Sequence, residues 1–315
     1  MRIYCRLSEY ICQKERSLIM KALMIMNPVS GKMSLIRNFA EITRLLKEAG
    51  YELDIRCTSG KGSAQKIVKE NALDNDIIIC CGGDGTLNDI INGIMESDIS
   101  VPIGYIPCGT TNDFASGIGL SKNVVRATKD IISGVPTEID VGKFGDTYFS
   151  YVASFGAFTQ SSYATPQNMK NTFGHFAYVL EGVKEIPYLK PTALKIATET
   201  GDEYGGEYVL GAIANSTSIG GIIKLDKARV DMSDGEFEVL LIKYPKNIMD
   251  LNNIITSFNT NDYENPSIEF FRARELTVES KECIQWSLDG ECFEPKEKET
   301  VKNYQKAITI ILPKK

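Results

Sequence analysis

Across 315 residues the sequence holds one histidine, His175, and one tryptophan. A lone imidazole excludes multi-histidine metal centres and leaves a Ser-His-Asp triad a single possible base, so any acid-base chemistry falls to carboxylates. The cysteines, at positions 5, 12, 57, 80, 81, 108, 283 and 292, form no CxxC pair and no small disulfide framework, so they read as reduced thiols in a cytosol. Long apolar runs are missing. Ile77 to Cys81 with its flanks and Ala307 to Leu312 fall far short of the roughly 18 to 20 residues that span a bilayer, so membrane contact is expected to be peripheral. No basic stripe is present either: 35 Lys and Arg against 41 Asp and Glu give a net charge of -6, which argues against nucleic acid as a partner.

What remains is the composition of a soluble globular protein, 43% hydrophobic and 24% charged, without Gln, Ser or Pro tracts. Its length suits two domains of roughly 150 residues each. Residues 1–20 mix charged and apolar positions without a continuous apolar region, so they are not expected to act as a signal peptide. They are expected to be either an extension before a mis-set start or a short extra helix. Oligomeric state stays open, a homodimer being the commonest soluble form.

Residues 21–139 alternate short apolar runs with amphipathic segments, the pattern of an α/β domain with a parallel sheet. Strands are expected at Ala22 to Met26, Leu53 to Cys57, Asp76 to Cys81 and Val101 to Ile106. Leu35, Phe39, Ile42, Leu46 and Ala49 recur at helical spacing and stop at Gly50; further helices follow Ser63, carry Leu87 to Met95, and carry Val124 to Ile132. Residues 140–304 change to β-rich alternation, seen first in a strand expected at Tyr148 to Ala153, which predicts a mostly antiparallel sandwich interrupted by helices near Phe173 to Ile186 and Ile248 to Phe258. The last strand, within 305–315, fits either domain.

Gly82-Gly83-Asp84-Gly85-Thr86 stands between a buried strand and a helix. Glycines there let backbone N–H groups approach an anion, and the helix N-terminus adds its positive end. The loop lacks the lysine of a Walker A motif, and Asp84 would repel phosphate unless a metal ion compensates, which points to a Mg-nucleotide. Asn27-Pro28-Val29-Ser30-Gly31-Lys32 follows the first strand and Pro107-Cys108-Gly109-Thr110-Thr111-Asn112-Asp113-Phe114-Ala115 follows the fourth. Singly, each is also compatible with an ordinary strand-to-helix connection. Three such loops at the carboxyl ends of parallel strands converge on one crevice.

These motifs, together with Asp289-Gly290-Glu291, resemble the bacterial diacylglycerol kinase-like lipid kinases, relatives of sphingosine kinases, NAD kinases and phosphofructokinases. The resemblance covers Lys21 to Pro313. It implies that ATP is held by Asn27, Pro28, Val29, Ser30 and Gly31, by Thr58, by Gly83, Asp84, Gly85, Thr86, Leu87, Asn88 and Asp89, and by Thr110, with Lys32 and Arg37 as phosphate cations. It further implies that Asp84, Asn112, Asp113 and Asp140 organise the catalytic Mg2+ and its waters, and that Glu291 is the general base on the substrate hydroxyl. The chemistry agrees, since phosphoryl transfer to an alcohol needs charge neutralisation, positioning and a carboxylate for the hydroxyl proton. Outside that resemblance a Glu after Asp-Gly is most often a solvated turn residue.

By the same resemblance a structural Mg2+ takes the Asp234 carboxylate and the main-chain carbonyls of Asp231 and Glu236; oxygen ligation suits that hard cation, while a plain hairpin turn is the alternative. Phe173, Phe176, Leu180 and Val183 share one helical face, which suits either an acyl groove or a core helix. His175 within it reads as a surface or cap residue. Two departures stand out: Asp89 replaces the Glu of many relatives, and Tyr151 to Thr159 match only loosely. The expected function is an ATP- and Mg2+-dependent lipid kinase acting on diacylglycerol or a related lipid alcohol at the inner membrane surface and feeding phospholipid metabolism. The alternatives are an NAD kinase-like enzyme with a soluble acceptor and a catalytically silent nucleotide-binding regulator.

Overall fold

The computed structural model describes residues 19–30, 34–156, 191–216, 218–219, 223–224, 230–260 and 262–314. Residues 1–18, Gly31, Lys32 and the expected helix with His175 lie outside them. The first half builds β1 (Met20–Met26), α1 (Ser34–Glu48), β2 (Tyr51–Cys57), α2 (Ser63–Asn71), β3 (Ile77–Gly82), α3 (Asp84–Ser97), β4 (Ile103–Pro107), α4 (Asp113–Gly117) and α5 (Val124–Ser133). Strands β2, β1, β3 and β4 lie side by side in that order and all run parallel.

Alternation along β1 explains how both faces are covered. Ala22 and Met24 pack with Leu35, Ile42 and Leu46 of α1 and with Val124 and Ile131 of α5. Leu23 and Ile25 pack on the other face with Ala64 and Val68 of α2 and with Leu87, Ile90 and Ile91 of α3. The chain thus steps outward from β1 to β2 and then crosses back to β3 on β1's other side. That reversal opens a crevice at the carboxyl ends of β1 and β3, the place where open α/β sheets bind ligands.

The second half adds β5 (Val135–Phe144), β6 (Thr147–Phe149), β7 (Val152–Gly156), β8 (Thr192–Thr198), β9 (Glu203–Ala214), β10 (Ser218–Ile219), β11 (Ile223–Lys224), β12 (Phe237–Lys243), α6 (Ile248–Thr260), β13 (Ile268–Ala273), β14 (Glu275–Glu279), β15 (Trp286–Leu288), β16 (Glu291–Phe293) and β17 (Lys298–Leu312). Their pairing with one another is antiparallel. Phe149, Phe155, Ile196, Tyr208, Phe237 and Trp286 fill the core between them.

Three elements differ from the sequence-based expectation. The position expected to divide the domains, 139 to 140, falls inside β5, which pairs with Val301 to Tyr304 and Ile308 to Leu312 of β17. Rather than choosing a domain, β17 serves both: Lys298 to Lys302 pairs with β14, and Ile310 pairs parallel to Ile103 of β4. One 15-stranded sheet therefore runs through the molecule. Tyr148 to Ala153, expected as one strand, is broken into β6 and β7 at Ser150 and Tyr151, for a reason that lies in the site.

Candidate active site

Asn27 follows β1 and fastens the first loop to the third strand. Its N–H donates to Cys81 O at 2.9 Å, its Nδ2 donates to Thr86 Oγ1 at 3.1 Å, and its Oδ1 accepts from Val29 N at 3.1 Å. Pro28 and Val29 are exposed on this loop and Ser30 is half-buried. Thr58, just past β2, donates its N–H to Met26 O at 2.9 Å and so stands beside Asn27.

Gly83 caps α3 in an extended conformation, and its carbonyl accepts from Thr86 N and Leu87 N, both at 3.1 Å. The N–H groups of Asp84 and Gly85, earlier in the turn, have no intrahelical carbonyl to meet and sit at the helix's positive end. The fourth-strand loop lies against this one. A Cβ on Gly109 would come within 2.6 Å of Gly83 Cα, so the two backbones meet only because both residues are glycine. Asn112, with φ of 52°, brackets Gly109 by accepting from its N–H at 2.9 Å and donating to its carbonyl at 2.8 Å. Thr110 projects from the same loop and is exposed.

Asp113 N donates to Asp84 Oδ2 at 3.0 Å, which joins the two loops through side chain as well as backbone. Burial pushes the Asp84 carboxyl up to about 6; the Asp113 N–H opposes the shift, and the Asp113 and Asp289 charges add to it. Its other oxygen, Oδ1, is buried without a hydrogen-bond partner. An orphaned carboxylate oxygen beside glycine amides and a helix N-terminus matches what Mg2+ with phosphate oxygens would satisfy.

Glu291 reaches this place from the other half of the molecule. It opens β16 after a two-residue turn in which Asp289 and Gly290 have φ of 50° and 91°, and it pairs with Leu288 of β15. Asp-Gly is a favoured pair for such a left-handed turn. A Cβ on Gly85 would stand 3.7 Å from Glu291 Oε1, so the carboxylate faces the glycine-rich loop. Lys61, on the loop between β2 and α2, places Nζ 2.7 Å from Glu291 Oε2.

Other expected site residues are engaged elsewhere. Leu87 is fully buried among Ile90, Ile91 and Tyr105, so its side chain belongs to the core and its N–H to the helix. Asn88 turns its amide away from the nucleotide crevice toward the β-rich half, donating to Asp289 Oδ2 at 2.7 Å. Asp89 accepts from Gly62 N at 2.9 Å, and burial raises its carboxyl pKa, with the Glu291 charge adding to the shift and Lys61 opposing it. Arg37 is exposed on α1. Asp140 is not brought to the phosphate loops. Its Oδ2 accepts from Gly235 N at 2.7 Å and its Oδ1 from Lys306 N at 2.6 Å, where Lys306 takes φ of 52° in the irregular stretch of β17. Asp140 therefore staples a bulge to a turn, and burial raises its carboxyl pKa.

Asp231, Asp234 and Glu236 share one turn, as expected for the second cation. The Asp234 carboxylate, however, pairs with Arg272, whose guanidinium also lies 3.3 Å from Glu236 and 3.6 Å from the buried Glu238. Arg272 already supplies the positive charge that a cation would bring to the Asp234 carboxylate. With Asp234 held by Arg272, the turn does not fit a resident cation in this arrangement.

Lys61 and Asn92 escaped the sequence reading, and Asp289 entered it only as part of the Asp-Gly-Glu motif, without a role of its own. Lys61 was findable, because it sits in the loop after a parallel strand, where the other ligand loops sit. Asn88 and Asn92 form an i, i+4 amide pair on α3, the spacing at which two side chains on one helical face meet.

The chain matches the diacylglycerol kinase catalytic domain over residues 21–144 and the YegS C-terminal NAD kinase beta sandwich-like domain over residues 153–311. It is 33% identical over 297 residues to the diacylglycerol kinase of Bacillus subtilis (strain 168), covering 93% of this chain and 97% of that protein. The diacylglycerol kinase of Staphylococcus haemolyticus (strain JCSC1435) is 34% identical over 274 residues, 86% of this chain and 82% of its own. A crystal structure from Bacillus anthracis str. Sterne, assigned as a candidate diacylglycerol kinase, is similar with a TM-score of 0.78 at 26% identity, covering 93% of this chain and 96% of that one.

Proposed function

Because the chain belongs to the diacylglycerol kinase family, and is therefore a lipid kinase, we propose that it transfers the γ-phosphoryl group of ATP, taken up with Mg2+, to the hydroxyl of diacylglycerol or a related lipid alcohol. The observation that carries this reading is Glu291, a carboxylate delivered by the β-rich half to Gly85 of the phosphate loop. A kinase for an alcohol needs its base next to the phosphates and on the acceptor's side.

In this reading Asn27, Pro28, Val29, Ser30, Thr58 and Thr110 border the nucleotide, and the N–H groups at the start of α3 bind phosphate oxygens. Gly31 and Lys32 complete the first loop in sequence. Asp84 and Asp113 offer oxygen donors for Mg2+, which when bound neutralises charge on the phosphates. Glu291 accepts the proton of the lipid hydroxyl as its oxygen attacks the γ-phosphorus in line with the departing ADP oxygen. No helix among the described residues is long and apolar enough to cross a membrane, and the lipid is met at the inner membrane surface by peripheral contact. The product would enter phospholipid metabolism.

The test is transfer of labelled phosphate from ATP, with Mg2+, to diacylglycerol micelles, mixed membrane lipids or NAD, followed by phase extraction. Organic-phase label from diacylglycerol is expected; label in aqueous NAD product alone would replace the acceptor class, and none anywhere would favour a silent regulator. Glu291→Gln should lose transfer and retain ATP binding.

A further inference from the structure

Asp289 is 4% exposed and gathers hydrogen bonds from both halves of the molecule. Oδ2 accepts from Ser150 N at 2.5 Å, Ser150 Oγ at 2.8 Å and Asn88 Nδ2 at 2.7 Å; Oδ1 accepts from Tyr151 N and Val152 N, each at 3.0 Å. Those three N–H groups belong to the break between β6 and β7. The interruption of that strand thus arises because its backbone turns inward to donate to one carboxylate.

The Asn88 contact is the one that bears on the reaction. Gly85 and Asn88 are three residues apart on α3 and share a face. Asp289 and Glu291 are two residues apart across the β15–β16 turn. Gly85 faces Glu291 while Asn88 holds Asp289, so one face of α3 is matched at two points to one hairpin tip. Asn92 sets the direction of the Asn88 amide: its Nδ2 donates to Asn88 Oδ1 at 2.9 Å, leaving Asn88 Nδ2 for Asp289. Asn92 Oδ1 in turn accepts from Tyr148 N at 3.3 Å.

A turn alone would not call for this carboxylate. Asn-Gly suits the same left-handed turn, and burying a carboxylate is costly unless donors surround it. We infer that Asp289 is the positioning residue for Glu291, registering the hairpin that bears the base against the helix that begins at the phosphate loop, with Asn88 as its partner across the two halves. The inference rests on Glu291 being the base.

The experiment compares Asp289→Asn, Asn88→Ala, their double variant and Glu291→Gln in the full chain, with ATP, Mg2+ and diacylglycerol in mixed micelles. Asp289→Asn keeps a residue suited to the turn, so the hairpin should still form. Trp286, the single tryptophan, is 1% exposed on β15 and reports whether it has. Expected for Asp289→Asn is a kcat lower by about 10- to 100-fold, the scale of a misplaced catalytic group, with KM for ATP within about threefold and unshifted Trp286 emission. Asn88→Ala should behave alike, and the double variant should lose less than the product of the single losses. Wild-type kcat in Asp289→Asn with Glu291→Gln inactive would overturn the positioning role alone. Tryptophan emission shifted to the red in both single variants would mean a structural role only and would also overturn it. An active Glu291→Gln would overturn the base and the inference with it.

Discussion

Lys61 Nζ lies 2.7 Å from Glu291 Oε2 although 230 residues separate them. The pair joins the loop after β2 to the first residue of β16 and closes the crevice over the start of α3. Its side chains are 77% and 52% exposed, so it contributes little stability, about 0–1 kcal/mol at most. Its effect should be seen in the reaction instead. Lys61→Met is expected to leave the melting temperature within about 1–2 °C of wild type while changing kcat severalfold and weakening its dependence on ionic strength. A variant kinetically identical to wild type at low and high salt would show that the pair has no part in catalysis.

Gly109→Ala tests the contact between the two phosphate-facing loops. The added Cβ would meet Gly83 Cα at 2.6 Å and Asn112 Oδ1 at 2.7 Å, and a backbone atom cannot swing aside. A loss of about 1–3 kcal/mol is expected from the overlap, together with at least a tenfold weaker affinity for ATP in titration calorimetry. Unaltered nucleotide affinity would separate the Gly83–Gly109 contact from the binding site.

Asp84 predicts a pH-dependent gain in stability on mutation. Its carboxyl is pushed up to about 6 from the ordinary 3.8 by burial. Between those values the folded protein binds the proton more tightly than the unfolded chain, so stability falls as pH rises through the interval and the full cost is present above about pH 6. In nucleotide- and metal-free buffer, Asp84→Asn should therefore melt about 2–6 °C higher than wild type at pH 7.5, and the difference should vanish below about pH 4. The same variant should be inactive in transfer. Equal melting temperatures at pH 7.5 would contradict the burial cost assigned to Asp84.

Arg272 is the counter-charge for three carboxylates, Asp234, Glu236 and Glu238. Glu238 is fully buried and its carboxyl is pushed up to about 8, chiefly by burial, with Arg272 opposing. Arg272→Met should cost about 1 kcal/mol at neutral pH, because the partly exposed Asp234 and Glu236 lose their counter-charge while Glu238 stays protonated. Thermal melts with millimolar Mg2+ should recover part of that loss, since a cation can then take the vacated position. A variant as stable as wild type without added cation would show that the guanidinium is not needed there.

Much of the nucleotide side was legible beforehand. Ala22 to Met26, Asp76 to Cys81 and Val101 to Ile106 are apolar runs that only a sheet covered on both faces accommodates, and the structure has them as β1, β3 and β4. The glycine loop after β3 and the asparagine loop after β1 followed from strand-to-helix order. Val135 to Phe144 was missed as a strand because its first half, Val135-Pro136-Thr137-Glu138, has little apolar alternation and is held by pairing with β17. Asp140, assigned to the Mg2+ network by the resemblance alone, instead accepts from Gly235 N with one oxygen and from Lys306 N in the β17 bulge with the other, partners that lie 95 and 166 residues away.

Sequence by itself determined the parallel strands, the glycine-rich turns and the Asp-Gly step before Glu291, because each rests on local dihedral freedom and short-range periodicity. Tertiary structure alone decided where Glu291 points, what Asn88 holds and which charge faces Asp234. Those outcomes depend on contacts between residues up to 230 positions apart, and no local pattern encodes which buried carboxylate a distant amide will reach.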